Sequence, residues 1–287
     1  MSIKVCLAGV TGWTGQCIAR SILQLDDLEL VSAIARRKAG QDIGKTLGLA
    51  MLGREISANV EDALSEHVDV FVEFTGAASV KQNVMTALRK GVHVVIGSSG
   101  LTAGDFEEIE QTAHETGVAV ISCGNFSLTA ALAKRFALIA AEYLPQWEVI
   151  DYASASKPDV PSGTTQELAE ALEKVRTNKL GVSLDALHGP KEARGAQIAS
   201  TPVHSLRLPS YVISFETIFG LTDERLTIRH DSGSSAQPYV EGTLLAIRKV
   251  VNCKGLIRGL DSLLFPYGNT SDIQSNTIEL DSGRLPT

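Results

Sequence analysis

The chain has 287 residues, of which 44% are hydrophobic and 21% are charged, and its formal net charge is −7. This length and composition are typical of a globular protein with one large or two medium domains. The negative charge argues against nucleic acid as a partner, because the only tight basic cluster is Arg36-Arg37-Lys38. No apolar stretch has the length of a membrane span, so we expect no membrane insertion and no signal peptide.

The cysteine, histidine and acidic residues indicate where the protein is located and whether it binds a metal. Cys6, Cys17, Cys123 and Cys253 are scattered without a C-x-x-C pair. We interpret them as reduced residues of a cytoplasmic protein. Acidic and histidine residues do not cluster at ligand spacing, so we expect no bound metal.

The first 125 residues alternate short apolar runs with amphipathic segments. The apolar runs predict strands at Ile3–Ala8, Leu28–Ile34, Val68–Glu73, Val92–Ile96 and Val118–Ser122. The segments between them predict helices at Gly12–Leu25, Ala78–Lys90 and Ala103–Thr116. This order predicts an α/β fold of the Rossmann type, with a doubly wound parallel sheet covered on both faces.

A glycine-rich loop joins the first predicted strand to the first predicted helix. Glycines at such a junction permit a tight turn and close approach to a pyrophosphate, which the helix N-terminus stabilises. An ordinary glycine-rich turn is the alternative. The G-x-x-G-x-x-G spacing predicts a dinucleotide site with the cofactor-binding residues Gly9, Thr11, Gly12, Trp13, Thr14 and Gly15.

The end of the second predicted strand distinguishes the two nicotinamide cofactors. A carboxylate there binds the ribose of NAD, whereas arginine accommodates the 2′-phosphate of NADP. The strand ends in Arg36-Arg37-Lys38 with no carboxylate. We therefore predict NADP(H) as the preferred cofactor, with Arg36 and Arg37 on the phosphate; NAD(H) stays possible, and a solvated basic turn is the alternative.

After about residue 126 the pattern changes to a second domain. A helix is predicted at Thr129–Tyr143, followed by an extended run at Trp147–Ser156. Alternating segments then predict strands around Ser205–Leu208, Tyr211–Phe219 and Glu224–His230, with a hairpin turn at Gly220–Asp223. These strands predict an α+β domain with a mixed or antiparallel open sheet. A helix at Tyr239–Val251 is expected to return to the first domain.

The predicted boundaries follow from this order of elements. Residues 1–126 and 235–264 form the dinucleotide-binding domain, and residues 127–234 form the substrate-binding and oligomerisation domain. Residues 265–287 form a polar tail without periodicity.

The segment Lys157–Gln166 places a lysine ahead of a helix start. Its Pro161-Ser162-Gly163-Thr164 portion enters a helical pattern and leaves backbone N–H groups unpaired. Such a terminus with a nearby ammonium suits a carboxylate or phosphate. The alternative is a capped helix beside a surface lysine.

The chain resembles dihydrodipicolinate reductase over roughly residues 3–264. The likeness lies in the glycine loop, Glu73-Phe74-Thr75 (usually D-F-T), Gly97-Ser98-Ser99-Gly100 (usually G-T-T-G) and Gly124-Asn125-Phe126-Ser127 (usually A/P-N-F-S). It also lies in Lys157-x-Asp159-x-Pro161-Ser162-Gly163-Thr164, the most specific motif, and in Val203-His204-Ser205-Leu206-Arg207. In that family NAD(P)H reduces a cyclic imine dicarboxylate, and the enzyme is usually a homotetramer joined through the second-domain sheets.

The resemblance implies roles for individual residues. Lys157, Ser162, Gly163 and Thr164 would hold the substrate's carboxylates. Apart from the resemblance, we predict Lys157 as the catalytic residue, because an ammonium partly desolvated beside a nicotinamide can donate a proton. Beside the glycine loop and the two arginines, the cofactor would contact Phe74, Thr75, Gly97, Ser98, Ser99, Asn125 and Phe126. We expect a small-molecule substrate and a homo-oligomer, either a dimer or a tetramer.

One departure from the family affects the catalytic step. The family reads E-x-H-H-x-x-K, whereas this chain has Ala153 and Ser154 at the two histidine positions. General acid help is typically worth about 10²–10⁴-fold, and neither replacement supplies it. Lys157, Tyr152, His204 or water are the alternative proton donors; strand alternation would point Tyr152 away.

Three functions therefore stay open. The leading hypothesis is an NAD(P)H-dependent reductase of a carboxylate-bearing imine, as in lysine and diaminopimelate biosynthesis. The second is an amine or amino-acid dehydrogenase, or imine reductase, acting on a linear substrate. The third is an NADPH-binding sensor without turnover.

Overall fold

A computed structural model describes residues 2–265, which form two sheets with their covering helices. In the first half the strands are β1 Ile3–Ala8, β2 Leu28–Ile34, β3 Ile56–Ser57, β4 Val70–Glu73, β5 His93–Ile96 and β6 Ala119–Ser122. The helices between them are α1 Trp13–Ile22, α2 Ile43–Thr46, α3 Val60–Ala63, α4 Val80–Arg89 and α5 Ala103–Thr116.

The second half contributes its own elements and then returns to the first sheet. It contains α6 Leu128–Tyr143, β7 Trp147–Ala153, α7 Gly163–Val175, β8 Ala196–Ile198, β9 Thr201–Arg207, β10 Ile213–Leu221 and β11 Glu224–Asp231. The returning elements are α8 Val240–Val250, β12 Gly255–Arg258 and α9 Leu260–Leu264.

The first sheet is parallel and has seven strands in the order β12-β6-β5-β4-β1-β2-β3. Its strands are buried on both faces, which explains their continuous valine and isoleucine content. The strand order reverses between β1 and β4. In open α/β sheets, ligands bind at the carboxyl ends of the strands beside such a reversal.

The second sheet is mixed and has the order β11-β10-β7-β9-β8. One face packs on α6 and α7 through Val149, Phe215 and Phe219. The other face carries polar and partly exposed side chains, because successive residues of a strand point to opposite faces. The two helices therefore lie between this sheet and the first domain's carboxyl edge.

The predicted fold class is confirmed, including the parallel sheet and the mixed second sheet. The first two strands and α5 have the predicted bounds, whereas α1 ends at Ile22 rather than Leu25. The run from Trp147 stops at Ala153, because the next residues form a turn closed by the Lys157 amide on the Ser154 carbonyl at 2.9 Å. The short strands β3, β8 and β12 were not predicted.

Across residues 2–265 no helix has the length and apolar character needed to cross a membrane. The predicted polar tail lies outside the described residues, apart from Phe265.

Candidate active site

The glycine loop between β1 and α1 is packed too closely against backbone for side chains at two of its positions. A Cβ on Gly9 would lie 2.3 Å from the Phe74 carbonyl oxygen, and a Cβ on Gly15 would lie 2.1 Å from the Gly9 carbonyl oxygen. Gly9 also has a φ of 83°, which glycine adopts without strain. Gly12 precedes α1 without a side-chain cap, so the first amides of that helix are free for an anion.

The side chain of Glu73, at the carboxyl end of β4, organises the next two loops. It is fully buried and accepts hydrogen bonds from the Thr75 backbone amide at 2.7 Å, from the Thr75 hydroxyl and from the Asn83 side-chain amide at 2.9 Å. The Ser98 hydroxyl donates to the same carboxylate at 3.2 Å. Glu73 thus fixes the Phe74-Thr75 turn and the Gly97–Ser99 loop relative to each other.

Two aromatic rings pack together at the carboxyl edge of the first sheet. Phe74 packs against Phe126 with ring centroids 5.8 Å apart, and a Cβ on Gly97 would lie 2.2 Å from the Phe74 ring. Phe126 is buried, and the Asn125 side chain donates to the Thr164 hydroxyl at 3.3 Å. The chain therefore passes from the first domain into the second at the edge of the predicted cofactor site.

The basic cluster follows β2 directly. Arg36–Lys38 form one exposed 3₁₀ turn beside the glycine loop's strand. Within residues 2–265, none of these three cations forms an ion pair with a carboxylate. Unpaired arginines in this position can take up an anionic group.

The predicted carboxylate anchor forms the start of α7. The Thr165 and Gln166 amides are satisfied by the Ser162 hydroxyl and carbonyl, whereas in the described part of the chain no group accepts from the Gly163 and Thr164 amides. Lys157 lies ahead of this turn, with its ammonium 2.9 Å from the Asp159 carboxylate. An anion bound here would meet two free amides, the positive end of the helix and a lysine.

Ser162, predicted to bind substrate, is held by hydrogen bonds to Asp151. It is 1% exposed, its amide donates to Asp151 Oδ2 at 3.0 Å, and its hydroxyl donates to Asp151 Oδ1 at 2.6 Å. Its amide and hydroxyl are thus already used within the protein. Ser162 therefore supports the helix start, and Gly163 and Thr164 present the free amides.

Asp151 is the main residue that the sequence interpretation missed. Its fully buried carboxylate also accepts from the Thr165 hydroxyl at 2.9 Å and from Arg207 Nη2 at 2.8 Å. The same Arg207 nitrogen donates to the Asp159 carbonyl at 2.7 Å. Burial acts to raise the pKa of Asp151, but the donors from Ser162 and Arg207 outweigh it and hold that pKa below the usual aspartate range.

One cleft of about 360 Å³ brings the two halves together. Gly97, Ser98 and Ser99 line its first-domain wall. Its second-domain wall contains Lys157, Asp159 and the Ser162–Thr164 turn. Of the predicted cofactor residues, Gly97, Ser98 and Ser99 therefore face the same space as the predicted carboxylate anchor, whereas the glycine loop, the two arginines, Phe74, Thr75, Asn125 and Phe126 are not part of this cleft's lining.

Two of the alternative proton donors lie outside this cleft. Tyr152 donates to Glu216 at 3.1 Å, and His204 Nε2 lies 2.7 Å from Glu148, both on the face of the second sheet opposite α7. Strand alternation explains this, because Asp151, next to Tyr152, and Ser205, next to His204, point to the opposite face toward α7. The suggestion of His204 as donor is therefore wrong, and among the described residues that line the cleft none is a histidine.

Comparison with known proteins identifies the family of the chain. Residues 3–126 match the family "Dihydrodipicolinate reductase, N-terminus" and residues 126–264 match "Dihydrodipicolinate reductase, C-terminus". The chain belongs to the dihydrodipicolinate reductase family.

Individual relatives and solved structures extend this result. The 4-hydroxy-tetrahydrodipicolinate reductase of Moorella thermoacetica is 38% identical over 264 residues, which is 92% of this chain and 98% of the relative. That of Desulfitobacterium hafniense is 37% identical over 264 residues, with 91% and 98% covered. The structure of a dipicolinate-bound dihydrodipicolinate reductase from Paenisporosarcina sp. TG-14 superposes with a TM-score of 0.75 at 29% identity, covering 92% of this chain and all of the other.

A more distant structure shares the fold alone. An amine dehydrogenase from Mycobacterium smegmatis gives a TM-score of 0.65 at 17% identity, covering 91% of this chain and 96% of that chain. Similarity at this level does not transfer an activity.

Proposed function

We propose that this family member is an NAD(P)H-dependent reductase of a carboxylate-bearing imine, the reaction of dihydrodipicolinate reductase in lysine and diaminopimelate biosynthesis. The observation that carries this is the single cleft in which Gly97–Ser99 of the first domain faces Lys157 and the start of α7. A redox cofactor at the sheet edge and an anionic substrate at the helix start would meet there.

The residues present fit a nicotinamide dinucleotide. The chain packs so closely at Gly9 and Gly15 that a Cβ would overlap backbone atoms, so glycines permit the tight turn that a dinucleotide loop needs, and the first amides of α1 carry no side-chain cap. Thr11–Gly15 would hold the pyrophosphate, and Phe74, Thr75 and Ser98 would line the nicotinamide half. We propose NADP(H) over NAD(H), because Arg36 and Arg37 are exposed and adjacent at the end of β2.

The substrate's carboxylate would bind at the start of α7. The Gly163 and Thr164 amides donate to it, and the Lys157 ammonium supplies a full positive charge. Asp159, already 2.9 Å from that ammonium, holds the lysine at the cleft and shares it with the incoming carboxylate.

The reaction adds one hydride and one proton across a C=N bond. A bound nicotinamide supplies the hydride to carbon. Lys157 is the catalytic residue we propose for the proton at nitrogen, since the structure turns Tyr152 and His204 away from the cleft. An imine that already carries its proton needs no donor, and there Lys157 acts through binding and charge alone.

The test is NADPH oxidation with dihydrodipicolinate, in the wild type and in Lys157→Ala. We expect turnover by the wild type and a KM raised at least about tenfold in the variant, because a bound carboxylate loses its charged partner. Lys179→Ala, at a lysine outside the cleft, is the matched control and is expected to leave KM unchanged. Absence of turnover in the wild type, with NADPH bound, contradicts the proposal.

A second function is favoured by one observation. The family's two histidine positions hold Ala153 and Ser154, and the missing imidazoles favour a linear imine formed from a keto acid and ammonia as the competing substrate class. Comparing NADPH oxidation with dihydrodipicolinate and with keto acids plus ammonia separates the two. Tight NADPH binding without turnover on either would favour a sensor.

The proposed assembly and location rest on other parts of the molecule. The second sheet's open face carries the partly exposed side chains of Ile150, Leu206 and Ile218, and we propose it as the contact of a homo-oligomer. The four cysteines of the described chain are free, which fits the proposed cytoplasmic location.

A further inference from the structure

A buried ion cluster links the two domains beside the cleft, and its Glu167 also lines the cleft. Lys134 on α6 places its ammonium 2.5 Å from the Glu167 carboxylate on α7 and 2.9 Å from the Asp261 carboxylate on α9. The three side chains are 13%, 20% and 8% exposed, respectively. α9 follows the last strand of the first sheet, whereas α6 and α7 cover the second sheet, so the cluster links the two layers.

Lys134 keeps its positive charge in spite of its burial. Burial acts to lower the pKa of Lys134, but the two carboxylates outweigh it and raise that pKa above the ordinary lysine value. Removing one member of such a cluster leaves an uncompensated buried charge, which is strongly unfavourable.

Two glycines leave room for these side chains. A Cβ on Gly124 would lie 2.6 Å from Glu167 Oε2, and a Cβ on Gly259 would lie 2.5 Å from Asp261 Oδ1. The Gly124 amide also donates to Glu167 Oε2 at 2.9 Å. Position 124 departs from the A/P-N-F-S motif described above, and the glycine found here leaves room for the Glu167 carboxylate in its present position.

Glu167 connects the two sides of the proposed site. It lies one turn after Gly163 and Thr164, whose free amides form the carboxylate anchor. Gly124 lies two residues beyond β6, at the first domain's carboxyl edge, and its carbonyl accepts from the Thr164 hydroxyl at 3.4 Å. The contact between Gly124 and Glu167 therefore helps to set the distance between the Gly163 and Thr164 amides and the carboxyl edge of the first sheet, where the nicotinamide is proposed to bind.

We propose that Lys134 is a positioning residue for hydride transfer, which holds Glu167 against Gly124 and so fixes the start of α7 relative to the cofactor edge. The identity of the two ligands rests on the proposed function. Misplacement by about 1 Å of groups that orient a reaction costs on the order of 10²-fold in rate, so loss of this contact acts on kcat before it acts on cofactor binding.

Lys134→Met tests this, with Lys81→Met as the matched control. Lys81 also bridges two carboxylates, Asp105 at 2.7 Å and Glu108 at 2.8 Å, but on the far side of the first sheet. In Lys134→Met we expect kcat to fall at least about tenfold and the Kd of dipicolinate to rise at least about threefold, with the Kd of NADPH within about twofold of wild type. In Lys81→Met all three stay within about twofold.

Glu167→Gln keeps the proposal testable if Lys134→Met does not fold. It leaves Lys134 paired with Asp261, and we expect the same pattern with a smaller loss, about threefold in kcat. A kcat within about twofold of wild type in the folded variants overturns the proposal. An equal loss of NADPH affinity and kcat also overturns it, because that pattern reports general loosening.

Amide hydrogen exchange separates this inference from the proposed function. In the ligand-free protein, the Gly124 amide is expected to exchange at least about tenfold faster in Lys134→Met than in wild type and at the wild-type rate in Lys81→Met. Wild type that neither binds dipicolinate nor reduces dihydrodipicolinate contradicts the proposed function alone. Unchanged exchange at Gly124 contradicts the role of Lys134 alone.

Discussion

Replacing Asp151 by asparagine removes the charge that organises the start of α7. The carboxylate is fully buried and accepts from the Ser162 amide, from hydroxyls and from the Arg207 guanidinium. An asparagine can keep one oxygen toward Ser162 and Arg207 and turn its NH₂ toward the hydroxyls, which can rotate to accept. The unavoidable loss is the charge partner of Arg207, whose side chain is 15% exposed.

The expected loss of stability in Asp151→Asn follows from the burial of the Asp151–Arg207 ion pair. Breaking a buried pair by removing one partner costs about 3–5 kcal/mol, and the residual exposure of Arg207 places this case near about 3 kcal/mol. For a domain of this size, about 3 kcal/mol lowers Tm by roughly 6–12 °C. Arg207 also donates to the Asp159 carbonyl, so the loop that carries Lys157 loosens and the Kd of dipicolinate is expected to rise about tenfold.

Thermal denaturation and dipicolinate titration of Asp151→Asn provide the assay, with Asp27→Asn as the matched control. Asp27 pairs with Arg248 at 2.6 Å on the exposed surface of the first domain. We expect that variant to stay within about 2 °C of wild type and to bind dipicolinate normally. Equal behaviour of the two variants, or unchanged dipicolinate affinity in Asp151→Asn, would refute the reasoning.

Three further predictions concern pH and the cofactor. The folded protein holds the pKa of Asp151 below its unfolded value, so the contribution of the Asp151 carboxylate to stability is present above about pH 4 and is lost as the pH falls. The Tm difference between wild type and Asp151→Asn should therefore narrow in acid. A Tm difference that widens in acid would be inconsistent with this argument. Gly9→Ala should raise the Kd of NADPH at least about tenfold, since its Cβ would overlap the Phe74 carbonyl at a positive φ; fluorescence titration checks this, and unchanged binding would remove Gly9 from the site. Arg36→Ala should weaken NADPH by about tenfold and leave NADH within about twofold, and equal effects on both would argue against a 2′-phosphate contact.

The architecture could be predicted from the sequence because its signals are local. Continuous valine and isoleucine runs identify strands buried on both faces, and the Gly9–Gly15 loop marks the turn between β1 and α1. The short strands were not predicted. β3 and β8 have two and three residues, which are too few to show the alternation of apolar and polar residues that marks a strand. The strand β12 has only two large apolar residues, Leu256 and Ile257, and its place in the sheet depends on pairing with β6, far back along the chain.

The site was predictable where a motif had its own chemistry and unpredictable where a side chain acts through others. Lys157 and the Gly163-Thr164 start could be identified from residue type and spacing. Asp151 and Glu167 could not, because each becomes informative only when the fold brings distant donors to it: Arg207 to Asp151, and Gly124 and Lys134 to Glu167. The sequence signal that could have pointed to Asp151 is its place at the acidic position of the E-x-H-H-x-x-K motif.

The central claim is that the coenzyme and an acidic substrate meet in the cleft between Gly97–Ser99 and the start of α7. A crystal structure with NADPH and dipicolinate tests it most directly. The account predicts a dipicolinate carboxylate within hydrogen-bond distance of the Gly163 and Thr164 amides and of the Lys157 ammonium, with the ring facing the nicotinamide. A dipicolinate bound elsewhere, or a Lys157 ammonium that points to solvent away from both ligands, would contradict it.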